Sequence, residues 1–413
     1  MNNNGMVIVG AGEAGARAAV ELRTQGWTGQ ITMIGDERGY PYERPPLSKQ
    51  QLYAEEELAP VTILNQAKLD EYDIRLLSGD AAVRIDRAEH SVALASGRQV
   101  AYERLLLATG ANPRRLNVQG TGAWEIRYLR RMEDALQIRA LLQPGKRAAI
   151  IGGGFIGLEV AASAMAKQCQ VTLVEVAPRI LMRGVPEPIA LMVEERHRAA
   201  GVRFKIGVML DRIEREDEAL AIYLADGTVV RCDVVVAGIG AVPETTLAAN
   251  SGLEIENGIK VNEYLATSDP DIYAAGDCCS FPHPLYGGRR IRLEAWRNAQ
   301  DQGSHVAGNL LGASVPYAAI PWFWSDQYDQ TLQVAGLSDG ANATVLRDLG
   351  ESGKLFFHIA EDGRLLAVSG MGPSDSSIAK DFRLAEMLIE KQVRFEPAVL
   401  ADPGIRLKEL LRR

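Results

Sequence analysis

The chain has 413 residues, more than one compact core accommodates, so its length indicates about two or three domains. Hydrophobic residues make up 47% and charged residues 24%, a globular balance that excludes a largely disordered chain. The formal net charge of −8 argues against nucleic acid as the main partner, because phosphate binding requires a basic surface. We expect no membrane span, and the first five residues lack a signal-peptide pattern, so we expect a cytoplasmic protein.

The first predicted element is a buried strand over residues 6–9, followed at once by a glycine-rich turn and an alanine-rich helix. Gly10 permits a tight turn, Gly12 lets the backbone approach a pyrophosphate, and Gly15 lets the helix pack closely on the strand. The next strand ends just before Asp36, where a carboxylate can bind ribose hydroxyls. This order of strand, glycine turn, helix, strand and acid predicts a dinucleotide-binding unit.

The same pattern of strand, glycine turn, helix, strand and acid occurs a second time along the chain. Gly152, Gly154 and Gly157 take the three motif positions after a second apolar strand, and Glu175 ends the strand that follows. A carboxylate there accepts hydrogen bonds from an adenosine ribose and repels a 2′-phosphate, although Arg179 lies close. Two such units predict two dinucleotides, or one dinucleotide and a duplicated remnant, and Glu175 favours NADH over NADPH.

Three later predicted strands each end in a turn of small residues, in the segments 105–113, 234–243 and 272–277. Small residues there allow a backbone to approach a cofactor closely, although each segment alone is also typical of an ordinary strand-end turn.

The residue composition and the hydrophobic pattern change after residue 320. An aromatic segment over 321–328 precedes short β-type runs, of which 354–359 and 365–370 are separated by a turn and predict a hairpin. The sequence therefore predicts a C-terminal α+β domain with an antiparallel sheet.

An ordered set of motifs resembles the FAD-dependent ferredoxin reductases of bacterial oxygenase systems, which include putidaredoxin reductase, rubredoxin reductase and the reductases of aromatic-ring dioxygenases. The matching segments are 7–15, 41–49, 108–110, 129–130 with Asp134, 152–157, 276–277, 294–296 and 324–327. The resemblance covers nearly the whole chain. It implies a glutathione-reductase-like α/β fold with two Rossmann-type dinucleotide-binding domains and a C-terminal α+β domain.

The implied domains are an FAD-binding domain in two parts, 1–113 and 245–319, a NAD-binding domain over 114–244, and a C-terminal domain over 320–413. The resemblance also implies site residues. Those expected at FAD are Gly10, Gly12, Ala14, Gly15, Asp36, Arg44, Lys49, Val83, Arg130, Asp277 and Trp296. Those expected at the nicotinamide dinucleotide are Gly152, Gly154, Ile156, Gly157, Glu159, Glu175 and Gly240. Lys49 and Glu159 are the expected catalytic residues, with the Lys49 cation stabilising negative charge on the reduced flavin.

Related flavoproteins that reduce disulfides or peroxides need a redox-active cysteine after the second strand of the first unit. The first cysteine of this chain is Cys169, and the others are Cys232, Cys278 and Cys279. A thiolate nucleophile therefore cannot be supplied at that place, and no metal site is expected.

The implied activity is electron transfer from NADH through FAD to a 2Fe–2S ferredoxin, or to rubredoxin, that feeds an oxygenase. Two alternatives stay open: an NADH-dependent reductase of a quinone or monodehydroascorbate, and an NADH-sensing protein that resembles apoptosis-inducing factor. Ferredoxins are usually acidic, so the arginine-rich segment 287–297 is the candidate docking surface, unless its arginines pair with acids of the chain.

Overall fold

The computed structural model describes residues 5–182, 184–375 and 378–412. Its strands are β1 (Gly5–Val9), β2 (Ile31–Gly35), β3 (Ile74–Ser78), β4 (Ala82–Asp86), β5 (Ser91–Leu94), β6 (Gln99–Leu107), β7 (Ala111–Pro113), β8 (Arg127–Tyr128), β9 (Arg147–Ile151), β10 (Gln170–Glu175), β11 (Arg203–Ile206), β12 (Leu210–Glu216), β13 (Ala219–Leu224), β14 (Val229–Cys232), β15 (Val234–Ala237), β16 (Ala241–Pro243), β17 (Ile259–Lys260), β18 (Ile272–Ala274), β19 (Cys279–His283), β20 (Arg289–Ile291), β21 (Trp322–Gln327), β22 (Gln330–Gly336), β23 (Ala343–Asp348), β24 (Lys354–Ile359) and β25 (Leu365–Pro373).

Its α-helices are α1 (Glu13–Thr24), α2 (Gln50–Tyr53), α3 (Gln66–Glu71), α4 (Met132–Leu141), α5 (Phe155–Ala166), α6 (Glu187–Ala199), α7 (Thr246–Asn250), α8 (Trp296–Leu310), α9 (Ile378–Glu390), α10 (Pro397–Ala401) and α11 (Leu407–Leu410). No helix within the described ranges is both long and apolar enough to cross a membrane.

The chain forms two compact units. The first contains the residues up to Glu43 together with Pro60–Asn112 and Ala241–Pro321. The second contains Arg44–Ala59, Pro113–Gly240 and the residues from Trp322 onward. The division into four sequence segments at 113, 244 and 319 stays a prediction.

The first unit is organised around a parallel sheet with the strand order β3-β2-β1-β6, to which β18 adds beside β6. The antiparallel strands β4 and β5 extend from β6. Val7 lies between Thr32 and Leu105 in this register, and Ile8 and Leu106 are fully buried. Such near-continuous apolar strands are typical of parallel sheets covered on both faces. The strands predicted at 6–9 and 31–34 and the helix between them are confirmed.

The second unit contains a parallel sheet of order β11-β10-β9-β15-β8 and a separate antiparallel sheet of order β12-β13-β14. Ile150 pairs with Leu173 on one side and Val236 on the other, which makes β9 a central strand of the parallel sheet. Strand β9, helix α5 and strand β10 repeat the order of β1, α1 and β2. The predicted second dinucleotide-binding unit is therefore present.

The C-terminal part of the second unit is an antiparallel sheet of order β21-β22-β25-β24-β23 with α9 on it. Phe357 of β24 faces Val368 of β25 across the ladder, which confirms the predicted hairpin. Phe357 and Phe382 of α9 are each at most 1% exposed. The ring of Phe382 lies beside Gly370 of β25, and its burial helps to hold the helix on the sheet, because burying such a side chain stabilises by about 1.5–3 kcal/mol.

Candidate functional site

The first glycine turn has the geometry of a phosphate cradle. Gly10 has a φ of +119°, and a Cβ there would collide with the carbonyl of Ala108, while a Cβ at Gly15 would collide with the Gly10 carbonyl. Gly12 has no atom within 4 Å of the place where its Cβ would stand. The turn is thus closed where strand and helix meet and open at Gly12, where the N-terminus of α1 offers backbone N–H groups. These residues fit a bound pyrophosphate.

The other predicted FAD residues of the first unit lie at the ends of its elements. Asp36 is exposed directly after β2, and Asp277 follows Gly276 at the end of β18. The Gly276 N–H donates to the Gln302 side chain of α8 at 2.7 Å, which fixes that turn. Trp296 opens α8, Val83 on β4 is 54% exposed, and Ala14 lies buried in α1. Their contacts with FAD stay a prediction.

The second glycine turn has the same geometry. Gly152 has a φ of +104°, and a Cβ there would come within 2.5 Å of the Gly238 carbonyl. A Cβ at Gly157 would collide with the Gly152 carbonyl, whereas at Gly154 the nearest atom is 3.9 Å away. Helix α5 begins at the next residue, Phe155, so this cradle also fits a pyrophosphate.

Glu175 is anchored at this second turn. Its Oε2 accepts a hydrogen bond from the Gly153 N–H at 2.6 Å, and its Oε1 accepts one from the Ala177 N–H at 2.7 Å. An ionised carboxylate has about four acceptor positions, so two remain for ribose hydroxyls. Arg179 donates to carbonyls of residues 180, 181, 182 and 185 at 3.0–3.4 Å, so its guanidinium is engaged in its own loop.

The remaining residues predicted for the nicotinamide dinucleotide lie near the start of α5 and after β15. Ile156 is 47% exposed in the first turn of α5. Gly240 has a φ of +102°, and its carbonyl accepts the Arg114 N–H at 2.9 Å. Their contacts with the cofactor stay a prediction.

Lys49 and Glu159 form a buried ion pair within the second unit. Lys49 Nζ lies 3.1 Å from Glu159 Oε1, and their side chains are 16% and 5% exposed. Glu159 Oε2 also accepts the Ser48 hydroxyl at 2.5 Å, and its Oε1 accepts the Ser325 hydroxyl at 2.6 Å. Burying a carboxylate is costly unless it is paired and hydrogen-bonded, and Glu159 meets both conditions. The structure therefore brings the two predicted catalytic residues together.

The cation of Lys49 also lies near an aromatic surface. Its Nζ is 5.8 Å from the ring centroid of Trp324, which stacks on Trp322 at 5.3 Å. A cation within about 6 Å of a ring is attracted to its face. Arg44 and Arg130 are likewise brought together, since Arg44 Nη1 donates to the Arg130 carbonyl at 2.7 Å.

Ser48 and Ser325 are functional candidates that sequence reasoning did not single out. Both lie inside motifs that carry the family resemblance, at 41–49 and 324–327, and both are at most 2% exposed. A serine in an apolar or aromatic segment is the available signal, because a buried hydroxyl requires a partner. The identity of that partner, Glu159, depends on the fold.

The cysteines are buried free thiols. Burial raises the pKa of Cys232 to about 12 and also raises the pKa of Cys169, Cys278 and Cys279 above the ordinary thiol value. A protonated, buried thiol is a poor nucleophile. The thiols are therefore unsuited to covalent redox chemistry.

Comparison with known proteins agrees with these features. Residues 5–303 match the model of the pyridine nucleotide-disulphide oxidoreductase family, and residues 322–411 match the reductase C-terminal family. The chain is 40% identical over 404 residues to the ferredoxin–NAD(+) reductase component of the p-cumate 2,3-dioxygenase system of Pseudomonas putida, covering 98% of each chain. It is 40% identical over 332 residues to rubredoxin–NAD(+) reductase of Pseudomonas putida, covering 80% of this chain and 86% of the relative.

A solved structure is similar throughout. The chain superimposes with a TM-score of 0.92 on a chain of the crystal structure of the covalent putidaredoxin reductase–putidaredoxin complex, at 38% identity, covering 99% of this chain and 98% of that one.

The fold and the paired glycine turns define a flavoprotein of the pyridine nucleotide-disulphide oxidoreductase class. Within that class, the chain belongs to the family of ferredoxin reductases that serve oxygenase systems. The predicted fold class, the dependence on FAD and NAD(H), and the oxidoreductase activity are thereby confirmed.

Proposed function

We propose that the chain transfers electrons from NADH, through FAD, to a small iron–sulfur protein that supplies an oxygenase. The observation that carries this proposal is the likeness over nearly the whole chain to ferredoxin reductases of oxygenase systems. The cysteines agree with it, because each is buried with a raised pKa and is therefore a poor thiolate relay. When bound at the first glycine turn, FAD would supply the hydride acceptor for NADH and the means of passing electrons on one at a time. The electrons would then pass to the acceptor without a thiol relay, and the names of the relatives support a ferredoxin or rubredoxin as that acceptor.

Lys49 supplies a fixed positive charge in this function, and Glu159 holds it in place. The resemblance assigns Lys49 to the flavin ring, and the 3.1 Å ion pair restricts where its ammonium group can lie. A pre-positioned charge stabilises developing negative charge without the cost of reorganisation.

Glu175 selects NADH in this proposal. Its carboxylate is held against the glycine turn by the N–H groups of Gly153 and Ala177, so moving it away from a 2′-phosphate would break both hydrogen bonds. Arg179, the nearby cation, is engaged with its own loop carbonyls and would have to break those bonds to neutralise a phosphate.

An acceptor panel tests the function. The FAD-loaded protein is mixed with NADH and, separately, with 2Fe–2S ferredoxins, a rubredoxin, ferricyanide and a quinone. We expect kcat/KM to be highest with an iron–sulfur acceptor. Fast reduction of ferricyanide or quinone without a protein preference would favour a small-acceptor reductase instead. Slow turnover with every acceptor, and a long-lived complex with NAD, would favour an NADH-sensing protein.

We also propose a cytoplasmic location. The buried cysteines are free thiols, the form that a reducing compartment maintains. A reporter fusion tests this location, which a periplasmic signal would contradict.

A further inference from the structure

The Lys49–Glu159 pair stands at one end of a longer series of hydrogen-bonded, buried polar side chains in the second unit. Ser325, whose hydroxyl reaches Glu159, lies on β21 of the C-terminal sheet. Gln327 lies two residues further on the same strand and therefore on the same face, with its Nε2 at 3.1 Å from the Ser325 hydroxyl. Its Oε1 lies 2.8 Å from His197 Nε2, on α6.

This series of hydrogen-bonded side chains ends at Tyr328. Its hydroxyl lies 3.1 Å from His197 Nδ1, and the Arg196 guanidinium covers its ring at 4.3 Å. Arg196 also pairs with the exposed Asp329 at 2.8 Å. Ser325, Gln327 and His197 are each at most 3% exposed. A continuous polar path therefore runs from the surface turn after β21 to the Lys49–Glu159 pair.

In every hydrogen bond of this path, the donor lies on the Tyr328 side and the acceptor on the Glu159 side. Ser325 has a single hydroxyl proton and gives it to the Glu159 carboxylate, so the Gln327 atom beside it must be the donating amide nitrogen. The Gln327 oxygen then faces His197 Nε2, which must carry its proton, and His197 Nδ1 must accept from the Tyr328 hydroxyl. Hydrogen bonds aligned in this way polarise one another, and here they end on a carboxylate.

We propose that Ser325, Gln327, His197 and Tyr328 are positioning residues that hold Glu159, and through it Lys49, in one arrangement for the reaction with NADH. This inference rests on the proposed function and deepens it, because it gives the C-terminal domain a part in the reductive half-reaction. Each side chain of the path determines whether the next one donates or accepts a hydrogen bond. The Glu159 carboxylate, at the end of the path, therefore has one favoured rotamer.

The same sheet offers a matched control. His358 Nε2 lies 2.8 Å from the Ser369 hydroxyl, and Thr344 Oγ1 lies 3.3 Å from His358 Nδ1. Ser369 and His358 are as buried as Ser325 and His197, at 1% and 3% exposed. The variant Ser369→Ala therefore removes an equally buried, hydrogen-bonded hydroxyl that lies outside the path and has no carboxylate partner.

The first experiment determines the tautomer of His197 in the absence of catalysis. Nitrogen-15 NMR of the histidine side chains in the FAD-loaded protein distinguishes the imidazole tautomers, and His197→Gln assigns the His197 signals. We expect His197 to be neutral at pH 7 with its proton on Nε2. A proton on Nδ1, or a charged ring, would overturn the proposed direction of the path.

The second experiment measures flavin reduction by NADH in rapid mixing. Ser325→Ala is expected to slow the reduction step about tenfold, the effect of one lost hydrogen bond to a charged group, with the Kd for NADH changed less than about twofold. His197→Leu should give a similar loss, and His197→Gln, whose amide can donate to Gln327, should restore much of the rate. Ser369→Ala should match the wild-type rate.

Three results would overturn the inference: wild-type rates in Ser325→Ala, equal losses in Ser325→Ala and Ser369→Ala, or equal losses in His197→Gln and His197→Leu. Failure of the proposed function has a different signature, since the wild-type protein itself would then reduce its flavin normally but lack an iron–sulfur acceptor.

Discussion

The Oε2 atom of Glu175 accepts a hydrogen bond from the Gly153 N–H at 2.6 Å, inside the glycine turn of the second dinucleotide unit. A carboxylate side chain at a strand end is ordinarily free to rotate, but this one is also held by the Ala177 N–H at 2.7 Å. The negative charge therefore has a fixed place beside the cradle that Gly154 leaves open. In the proposed function, coenzyme preference would therefore depend on backbone geometry as well as on charge.

Glu175→Ala is expected to lower the preference for NADH. The variant loses the hydrogen bonds to the ribose and the repulsion of a 2′-phosphate, each an effect of about 1–3 kcal/mol, so the ratio of kcat/KM for NADH to that for NADPH should fall about tenfold or more. The measurement is steady-state kinetics with both coenzymes. Glu195→Ala, which removes an exposed carboxylate from α6, is the control. A wild-type preference for NADPH, or an unchanged ratio in Glu175→Ala, would contradict the assignment.

Removing one partner of the Lys49–Glu159 pair should destabilise the protein more than removing both. Glu159→Gln leaves a largely buried ammonium group without its counter-charge, and Lys49→Met leaves a buried carboxylate. Each is expected to cost about 3 kcal/mol of unfolding free energy, whereas the double variant should recover part of that loss. Denaturant unfolding of the FAD-loaded proteins measures all three values. Strictly additive losses would show that the pair is not coupled.

The cysteines should be dispensable for electron transfer. Replacing Cys169, Cys232, Cys278 and Cys279 together by Ala is expected to lower stability, because each buried thiol fills space in the core. Alanine is preferable to serine, which would bury a hydroxyl. Turnover per bound FAD, with NADH and a ferredoxin, should stay within about twofold of the wild-type value, since no step requires a thiol. A folded and FAD-loaded but inactive variant would reveal a missed thiol step.

The glycine turns were predictable from sequence because their function depends on local geometry. Gly10, Gly15, Gly152 and Gly157 are required by contacts with residues that the same βαβ unit supplies or with a neighbouring strand end. Strand, helix and hairpin assignments followed from apolar runs for the same reason. The ordered set of motifs along the sequence is also sufficient to indicate the family.

The polar network around Glu159 was not predictable from sequence. Ser48, Ser325 and His197 are separated by more than a hundred residues from one another along the chain, and no periodicity connects them. Their contact depends on the packing of α5 and α6 with β21 in the second unit. The grouping of Arg44–Ala59 with that unit rather than with the first glycine turn likewise follows from long-range packing.

Acid should destabilise the folded protein through three buried histidines, His197, His283 and His358, each of which has a pKa lowered by burial. Burial lowers the pKa of His197 and of His358 to about 4, against about 6.5 in an unfolded chain. The unfolded state therefore binds more protons as the pH falls from about 6.5 to 4, and each of these two imidazoles contributes a loss of about 3 kcal/mol over that range. Unfolding free energy measured against pH should show a smaller acid loss in His197→Gln. The control His305→Gln leaves all three buried imidazoles in place, and the same curve for both variants would contradict the assignment.

Several arginines of the candidate docking segment 287–297 have partners within the chain. Arg290 donates to the carbonyls of Val261 and Ser280 at 2.9 and 2.6 Å and lies 3.5 Å from the Glu256 carboxylate, so its replacement would disturb the first unit itself. In the same region, Arg292 pairs with Glu294 and Arg297 pairs with Asp301. A double charge reversal at 289 and 290 would therefore confuse docking with folding.

Arg289→Glu alone is the sharper test of this surface, because Arg289 is exposed. At low salt the variant should reduce ferredoxin about threefold to tenfold more slowly than the wild type while reducing ferricyanide at the wild-type rate. The difference should shrink as ionic strength rises, because salt screens the wild-type attraction. Arg406→Glu, with a side chain 81% exposed on the C-terminal domain, is the charge-matched control. Equal losses with both acceptors would place the effect at the flavin or in the fold, and wild-type rates with ferredoxin would place the docking surface elsewhere.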